Sequence, residues 1–204
     1  MHIRNRTRLT ITLALTGVGA ALSCWATLEI ALRWSPVDPE PYLRLDPSRV
    51  LRDRHGALLQ AALNTEDAWC FPKRVDAHSR YLIEATIAVE DQRFWSHRGV
   101  DPLAVFRAGI QNTSELRVTS GASTLSMQLT KMHAPQERTI AGKARQAWNA
   151  MRLERASTKS EILATYLNRA PYGYNLIGAE AAARRYFGKS SRELTIREAA
   201  LLAA

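Results

Sequence analysis

The chain has 204 residues, of which 46% are hydrophobic, and a formal net charge of +9. This length allows one domain with an appendage, and the hydrophobic fraction suffices for a packed core. The positive charge indicates an anionic partner, but the absence of an RNP-type motif, zinc-finger spacing or basic-aromatic stripe argues against nucleic acid. Anionic lipid or a phosphorylated substrate remains.

The N-terminal segment predicts a membrane anchor. Residues 1–8 are basic, and an uncharged run follows from 9 to 28. Twenty helical residues span about 30 Å, the hydrocarbon thickness of a bilayer, and the arginines favour a cytoplasmic N-terminus. We therefore predict a cytoplasmic tail (1–8) and a transmembrane helix (9–34), making a single-pass inner-membrane protein whose remainder is periplasmic.

Two alternatives for this segment are a cleaved signal peptide and a lipoprotein site at Cys24, although the run is longer than a usual signal core. Cys24 lies in the anchor and Cys70 lies well beyond it, so we predict no disulfide.

The chain after the anchor divides into three predicted parts. Residues 35–48 contain four prolines and predict a semi-extended stalk. Residues 50–59 predict a β-hairpin that turns at Gly56. From residue 76 onward the pattern is helical, with helix starts predicted at Asp76, Asp101, Thr158 and Thr195.

A first candidate site follows the first of these helices, in the sequence from Glu90 to His97. Glu90 ends the helix, where the helix dipole disfavours negative charge, and Asp91 adds like-charge repulsion. Both effects favour proton uptake by one carboxyl, as general acid–base chemistry requires. The alternative is an ordinary solvated helix end.

A second candidate segment runs from Gly121 to Lys131. Gly121 and Ala122 predict a tight turn, and Ser123 or Thr124 is suited to cap the next helix. One face of that helix carries Thr124, Gln128 and Lys131, spaced by four and three. A helix N-terminus with a nearby lysine suits phosphate, although the same spacing is typical of a solvated polar stripe.

The stretch from Lys131 to Arg169 holds more than half of the chain's net positive charge. Some of these side chains are expected to be ordinary solvated charges. The concentration is nevertheless typical of a segment that holds a pyrophosphate or faces an anionic membrane.

These segments, in this order, resemble the family 51 glycosyltransferases, which polymerise lipid II into peptidoglycan. The resemblance covers about residues 45–204. It rests on Glu90-Asp91-x-x-Phe94-x-x-His97-x-Gly99, on Gly121-Ala122-Ser123-Thr124-x-x-x-Gln128-x-x-Lys131, on Glu161-Ile162-Leu163-x-x-Tyr166-Leu167-Asn168, and on Tyr172-Gly173 with Gly178-Ala179-Glu180 and Tyr186-Phe187-Gly188-Lys189.

The resemblance implies a mainly α, lysozyme-like glycosyltransferase domain over 49–204, with a small N-terminal β-hairpin. Glu90 would be the general base, and Lys131 with a basic third motif would steady the departing pyrophosphate, helped by Mg²⁺ or Mn²⁺. No organic cofactor is implied. The substrates would be lipid II and the growing glycan strand, at the cytoplasmic membrane and beside other cell-wall synthesis proteins. The implied substrate-binding residues are Asp91, Phe94, His97, Ser123, Thr124, Gln128, Lys131, Lys143, Arg145 and Gln146.

The third motif departs from the family pattern Arg-Lys-x-x-Glu. Here it is Gly142-Lys143-Ala144-Arg145-Gln146, so glycine replaces the arginine and glutamine replaces the second carboxylate. Glutamine cannot ionise, which excludes a charged acid or metal ligand at that position. The sequence is similar to the 1C branch of class A penicillin-binding proteins, and Arg145 could supply the lost cation.

The signatures of a transpeptidase domain are missing, and the last predicted helix ends without a C-cap. We therefore expect either the N-terminal part of a bifunctional enzyme or a monofunctional transglycosylase. Two other functions stay open: a lysozyme-like enzyme that cleaves glycan, and an inactive membrane-anchored scaffold.

Overall fold

The structure is a computed structural model that describes residues 2–115, 123–135, 137 and 139–204; for residues 2–15, 21 and 109–115 it describes the backbone only. Gly121 and Ala122 therefore lie outside the described residues. The chain forms two compact units, residues 1–36 and 37–204.

The first unit is one long helix, α1, which runs from His2 to Trp34 and includes the predicted tail. Among the residues that the structure describes, no helix combines the length and apolar character needed to cross a membrane. This finding differs from the transmembrane helix predicted over 9–34.

The second unit is mainly helical, as predicted. Its helices are α2 (Glu40–Leu43), α3 (Arg80–Glu90), α4 (Pro102–Glu115), α5 (Leu125–His133), α6 (Ile140–Ala156), α7 (Lys159–Arg169), α8 (Ala179–Phe187) and α9 (Ile196–Ala203), with single 3₁₀ turns at Val75–Ala77 and Ser191–Glu193. Its strands are β1 (Val50–Arg52), β2 (Leu58–Ala61), β3 (Trp69–Cys70) and β4 (Leu176–Ile177).

The predicted hairpin is confirmed. β1 and β2 pair antiparallel, with Val50 opposite Ala61. Gly56 adopts a φ of +83°, which a residue with a side chain rarely takes. The Asp53 carboxylate accepts the backbone N–H groups of His55 and Ala57, each at 2.8 Å, and so fixes the turn.

The predicted stalk differs from a semi-extended linker, because residues 37–48 belong to the second unit. Tyr42 packs against the hydrophobic core, and its carbonyl accepts a hydrogen bond from Arg169. The Ser48 backbone N–H donates to the Cys70 carbonyl at 2.8 Å. This segment is therefore hydrogen-bonded to the end of β3, which pairs parallel with β4.

The core lies where α3, α5, α7 and α9 meet. Its fully buried side chains include Leu82, Leu125, Leu129, Leu163 and Leu167. Leu125 and Leu129 on α5, and Leu163 and Leu167 on α7, are four residues apart, as expected when one face of an amphipathic helix is buried. α5 consequently lies between the first candidate segment and the later helices.

Helix caps fix where the polar segments begin. The capping boxes at Thr158 and Thr195 are confirmed, and α4 begins at Pro102 with Asp101 accepting the Leu103 N–H. The prediction at Asp76 was wrong: the side chain of Ser79 caps α3, while Asp76 lies in the preceding 3₁₀ turn.

Buried charges connect α8 to the segment before α3. The Glu180 carboxylate, 1% exposed, pairs with Lys73 at 2.9 Å and with Arg184 at 2.7 Å. Burial alone would raise the pKa of Glu180, but hydrogen bonds from Ser191 and Lys73 hold that pKa below its usual value.

Candidate active site

Glu90 lies at the mouth of a cleft where α3, α4 and the start of α5 meet. The cleft has an empty volume of about 490 Å³, including its open side. Four predicted site residues line it: Glu90, Asp91, Ser123 and Thr124. The structure thus brings the first and second candidate segments together at one cleft.

The two adjacent carboxylates have different surroundings. Asp91 is buried, and both of its oxygens lie within 3.0 Å of His97 Nε2. Its Oδ2 also accepts the Leu125 backbone N–H at 3.0 Å. Because the Gly99 N–H donates to His97 Nδ1, the proton of a neutral imidazole lies on Nε2 and points at Asp91. Asp91 therefore joins the end of α3 to the start of α5.

Glu90 has one oxygen engaged. Its Oε2 accepts a hydrogen bond from Gln128 Nε2 at 2.6 Å, while its Oε1 accepts none from the described residues. The Tyr166 hydroxyl donates to Gln128 Oε1 at 3.4 Å. Glu90 is half-buried, so its carboxylate is both held in place and accessible from the cleft.

Two tyrosines lie close enough to Glu90 for its negative charge to raise their pKa values. Burial, and to a smaller extent the Glu90 carboxylate, raises the pKa of Tyr166 above its usual range. The same two causes raise the pKa of Tyr172 to about 12. Both hydroxyls therefore keep their protons over the whole physiological range.

A hydrogen bond between Thr124 and Gly99 joins the start of α5 to the loop after α3. Thr124 caps α5 by accepting the Met127 N–H, and its hydroxyl donates to the Gly99 carbonyl at 2.6 Å. Gly99 has a φ of +94°, and a Cβ placed there would lie 2.6 Å from Met151 N. A glycine is therefore required where this loop touches α6.

The predicted cations lie in different places. Lys143 Nζ donates to the Ser123 hydroxyl at 2.7 Å, which places an ammonium beside a cleft residue. Lys131 and Arg145 are exposed, and neither pairs with any described residue. Gln146 is 8% exposed and lies on the buried side of α6.

Phe94 and His97 are buried in the loop that follows Glu90 and do not line the cleft. Phe94 is fully buried, so its ring supports the loop from below. Lys159 Nζ lies 4.3 Å from the centre of that ring and 2.7 Å from the Glu154 carboxylate. Ser126 also donates to Glu154, whose side chain is 4% exposed.

This Glu154 cluster was not predicted from the sequence. A signal was available, since Glu154 follows the core residue Leu153 and a buried carboxylate needs partners. Arg107 of α4, which lines the cleft, was also missed, because nothing in its local spacing distinguishes it from a solvated arginine.

A site for Mg²⁺ or Mn²⁺ does not fit these side chains. Within the described residues, no group of three or more His, Cys, Asp or Glu side chains could hold a metal ion. Asp91 is already committed to His97 and the Leu125 N–H, and glutamine stands at position 146.

Comparison with known proteins identifies the family and several relatives of the chain. The family model described as Transglycosylase matches residues 56–204. Penicillin-binding protein 1C of Escherichia coli (strain K12) is 40% identical over 188 residues, covering 88% of the chain and 24% of that protein. Penicillin-binding protein 1A of Aquifex aeolicus (strain VF5) is 43% identical over 131 residues, covering 64% of the chain and 18% of that protein.

Penicillin-binding protein 2D of Bacillus subtilis (strain 168) is 32% identical over 188 residues, covering 92% of the chain and 27% of that protein. The chain thus spans between 18% and 27% of the length of these curated relatives. The family match confirms the predicted resemblance, and the chain belongs to the transglycosylase family.

Proposed function

We propose that the chain is a peptidoglycan glycosyltransferase that polymerises lipid II into β-1,4-linked glycan and releases undecaprenyl pyrophosphate. One observation carries this proposal: Glu90 lines a cleft with one oxygen held by Gln128 and the other accepting no hydrogen bond from the described residues. A carboxylate held in this way can accept a proton. Family membership supports the choice of reaction.

In the proposed reaction, Glu90 takes the proton from the 4-hydroxyl of the acceptor's N-acetylglucosamine. The resulting oxygen attacks the anomeric carbon of the donor's N-acetylmuramic acid. The bond from that carbon to the pyrophosphate oxygen breaks, and its electron pair leaves with undecaprenyl pyrophosphate. Attack from the opposite face converts the α-linked donor into a β linkage, so the reaction inverts the anomeric centre.

The leaving pyrophosphate needs positive charge and hydrogen-bond donors. Lys143 and the Ser123 hydroxyl supply both beside the cleft, and Arg107 adds a guanidinium to its lining. We assign Lys131 and Arg145 to the outer part of this basic surface.

Among the described residues that line the cleft, only the Glu90 carboxylate is then available for proton transfer. Asp91 is buried in its pair with His97, Asp101 is buried in its pair with Arg93, and Gln146 carries no charge. A glycoside-cleaving enzyme of the usual kind needs two catalytic carboxyl groups, one of them a proton donor. This arrangement favours transfer with a single base over hydrolysis.

We also propose that the chain works at the periplasmic face of the inner membrane. The undecaprenyl chain of the donor is confined to the bilayer, and the net charge of +9 suits anionic headgroups. α4 lines the cleft through Ala104 and Arg107 and also exposes Leu103, Val105 and Phe106. Exposed apolar side chains beside a lipid-substrate site suit contact with a membrane.

Binding to vesicles tests the membrane proposal. Phe106→Ser in the full chain should weaken sedimentation with anionic phospholipid vesicles, because Phe106 is 68% exposed on α4. Leu59→Ser, at a residue 63% exposed on β2, is the matched control and should leave sedimentation unchanged. Equal losses from both changes would contradict a membrane surface at α4.

Product analysis tests the reaction. The full chain should convert labelled lipid II into long glycan and should leave preformed glycan intact. Shortened glycan without polymer would instead indicate a lysozyme-like enzyme. No change in either substrate would indicate an inactive scaffold.

A further inference from the structure

The side-chain amide of Gln128 lies between two polar groups from different helices. Its Nε2 donates to Glu90 Oε2 at 2.6 Å, and its Oε1 accepts from the Tyr166 hydroxyl at 3.4 Å. Glu90 ends α3, Gln128 lies on α5 and Tyr166 lies on α7. The three side chains form one hydrogen-bonded chain that ends at the carboxylate.

The direction of these hydrogen bonds depends on which way the amide faces. The oxygen and nitrogen of an amide group are nearly equal in size, so packing alone does not select between the two orientations. If the amide turned over, its oxygen would face the Glu90 carboxylate and the two groups would repel. A donor on the far side of the amide disfavours that orientation, because it requires the oxygen to stay there.

Tyr166 is well suited to be this fixed donor. Its side chain is 6% exposed and packs in the core with Leu163 and Leu167 of the same helix. Its raised pKa keeps the hydroxyl protonated, so the group donates at any pH the enzyme meets. The hydroxyl belongs to the rigid helical core rather than to a loop.

We propose that Tyr166 is a positioning residue for the general base, acting through Gln128. By holding the amide in one orientation, it keeps a donor on Oε2 of Glu90 and leaves Oε1 as the atom that accepts the acceptor's proton. This inference rests on the proposed function of Glu90 as base. In this role Tyr166 itself would neither contact the substrate nor transfer the proton.

Other titratable or charged groups face the same carboxylate. Asp91 is adjacent in sequence, and Asp101 and Arg107 line the cleft from the α4 side, whereas the Tyr172 hydroxyl, in the loop after α7, keeps its proton and stays uncharged. Removing the Tyr166 hydroxyl changes none of these groups. A change in Glu90 titration after Tyr166→Phe therefore reports on the Gln128 hydrogen bond.

A double-mutant cycle in the full chain tests the proposal by activity. Tyr166→Phe should lower kcat about threefold to tenfold, the range expected for one neutral hydrogen bond, with KM within about twofold. The bond is long at 3.4 Å, so a larger effect is not expected. In a Gln128→Met background, adding Tyr166→Phe should change kcat by less than about 1.5-fold, because the shared partner is gone. Additive losses would overturn the proposal.

A second measurement does not depend on activity. In ¹³C NMR of glutamate-labelled protein, with Glu90→Gln used for assignment, Tyr166→Phe and Gln128→Met should both move the Glu90 titration midpoint upward. Tyr172→Phe is the matched control, since within the described residues its hydroxyl bonds neither Glu90 nor Gln128, and it should leave the midpoint nearly unchanged. A smaller shift for Gln128→Met than for Tyr166→Phe would contradict action through Gln128.

The two measurements separate this inference from the proposed function. If the wild-type chain forms no polymer, the proposed function fails, and the NMR midpoints still decide whether Tyr166 acts on Glu90. If the wild type is active and Tyr166→Phe alters neither kcat nor the midpoint, the function stands and the role of Tyr166 is disproved. Thermal unfolding of Tyr166→Phe, which keeps the buried ring, checks that the fold is intact.

Discussion

The two adjacent carboxylates in this cleft, Glu90 and Asp91, have different roles. The sequence suggested that repulsion between Glu90 and Asp91 would favour a proton on one of them. In the structure, Asp91 is occupied by His97 and the Leu125 N–H, while Glu90 keeps one oxygen for the cleft. The distinction comes from where each side chain points at the end of α3, which no spacing rule reports.

The glycine of the third motif has a steric reason. A Cβ at Gly142 would lie 2.2 Å from the Glu137 carbonyl oxygen, far closer than real contacts allow. The family's arginine therefore has no room at this position.

Gly142→Ala tests this contact. A glycine-to-alanine change inside a helix normally stabilises by about 0.5–1 kcal/mol, but overpacking costs about 1–3 kcal/mol. We expect the clash to win, with a net loss of free energy of unfolding in urea titrations. Ala144→Ser, on the exposed side of the same helix, should change it by less than about 0.5 kcal/mol. A gain in stability for Gly142→Ala would contradict the close contact.

At the scale of elements, the Glu154 cluster fastens α5, α6 and α7 beneath the cleft. Ser126 on α5 and Lys159 at the start of α7 both contact Glu154 on α6. The Lys159 ammonium also lies over the ring of Phe94, in the loop that follows Glu90. The loop thus rests on a buried ion pair.

Lys159→Met tests whether this pair supports the fold. It leaves the Glu154 carboxylate buried with only Ser126 as a described hydrogen-bond partner, which should cost about 3 kcal/mol in urea unfolding. The double variant Glu154→Gln with Lys159→Met should lose less, because no uncompensated charge remains. A double variant less stable than Lys159→Met alone would show that the pair itself contributes the stability.

Local patterns predicted the elements better than their contacts. Thr158 and Thr195 were recognised as caps because the box of hydroxyl and glutamate lies within four residues. The prediction that Asp76 caps α3 was wrong because Ser79 is also a preferred N-cap residue and lies next to the apolar run. Gln128 and Lys131 share a helical spacing, yet only Gln128 reaches Glu90, a contact across 38 positions that depends on how α3 and α5 pack.

At the scale of the whole molecule, a buried histidine connects stability to pH. Ser191 donates its hydroxyl proton to Glu180, so it accepts from His78 Nδ1 at 2.9 Å. His78 Nε2 is buried and has no partner among the described residues. Burial lowers the pKa of His78 to about 4, with Lys73 acting in the same direction and Glu180 opposing it.

The sign of the pH effect follows from proton binding. Between about pH 6.5 and about pH 4 the unfolded chain binds a proton at His78 that the folded chain refuses, so stability falls as pH falls through this range. The loss should approach about 3 kcal/mol at its limit. Urea unfolding at pH 7, 5.5 and 4 measures it, and His78→Gln should remove most of the slope. An unchanged slope in that variant would assign the effect to other groups.

We propose that Glu90 is the only base of a lipid II polymerase. The most direct test compares initial rates of lipid II consumption by the full chain, by Glu90→Gln, and by Glu84→Gln at an exposed position on the same helix. We predict that Glu90→Gln lowers the rate by about 10²-fold to 10⁴-fold, as expected for the loss of a general base, and that Glu84→Gln leaves it within about twofold. A Glu90→Gln variant that polymerises lipid II at the wild-type rate would contradict the role of Glu90 as the general base.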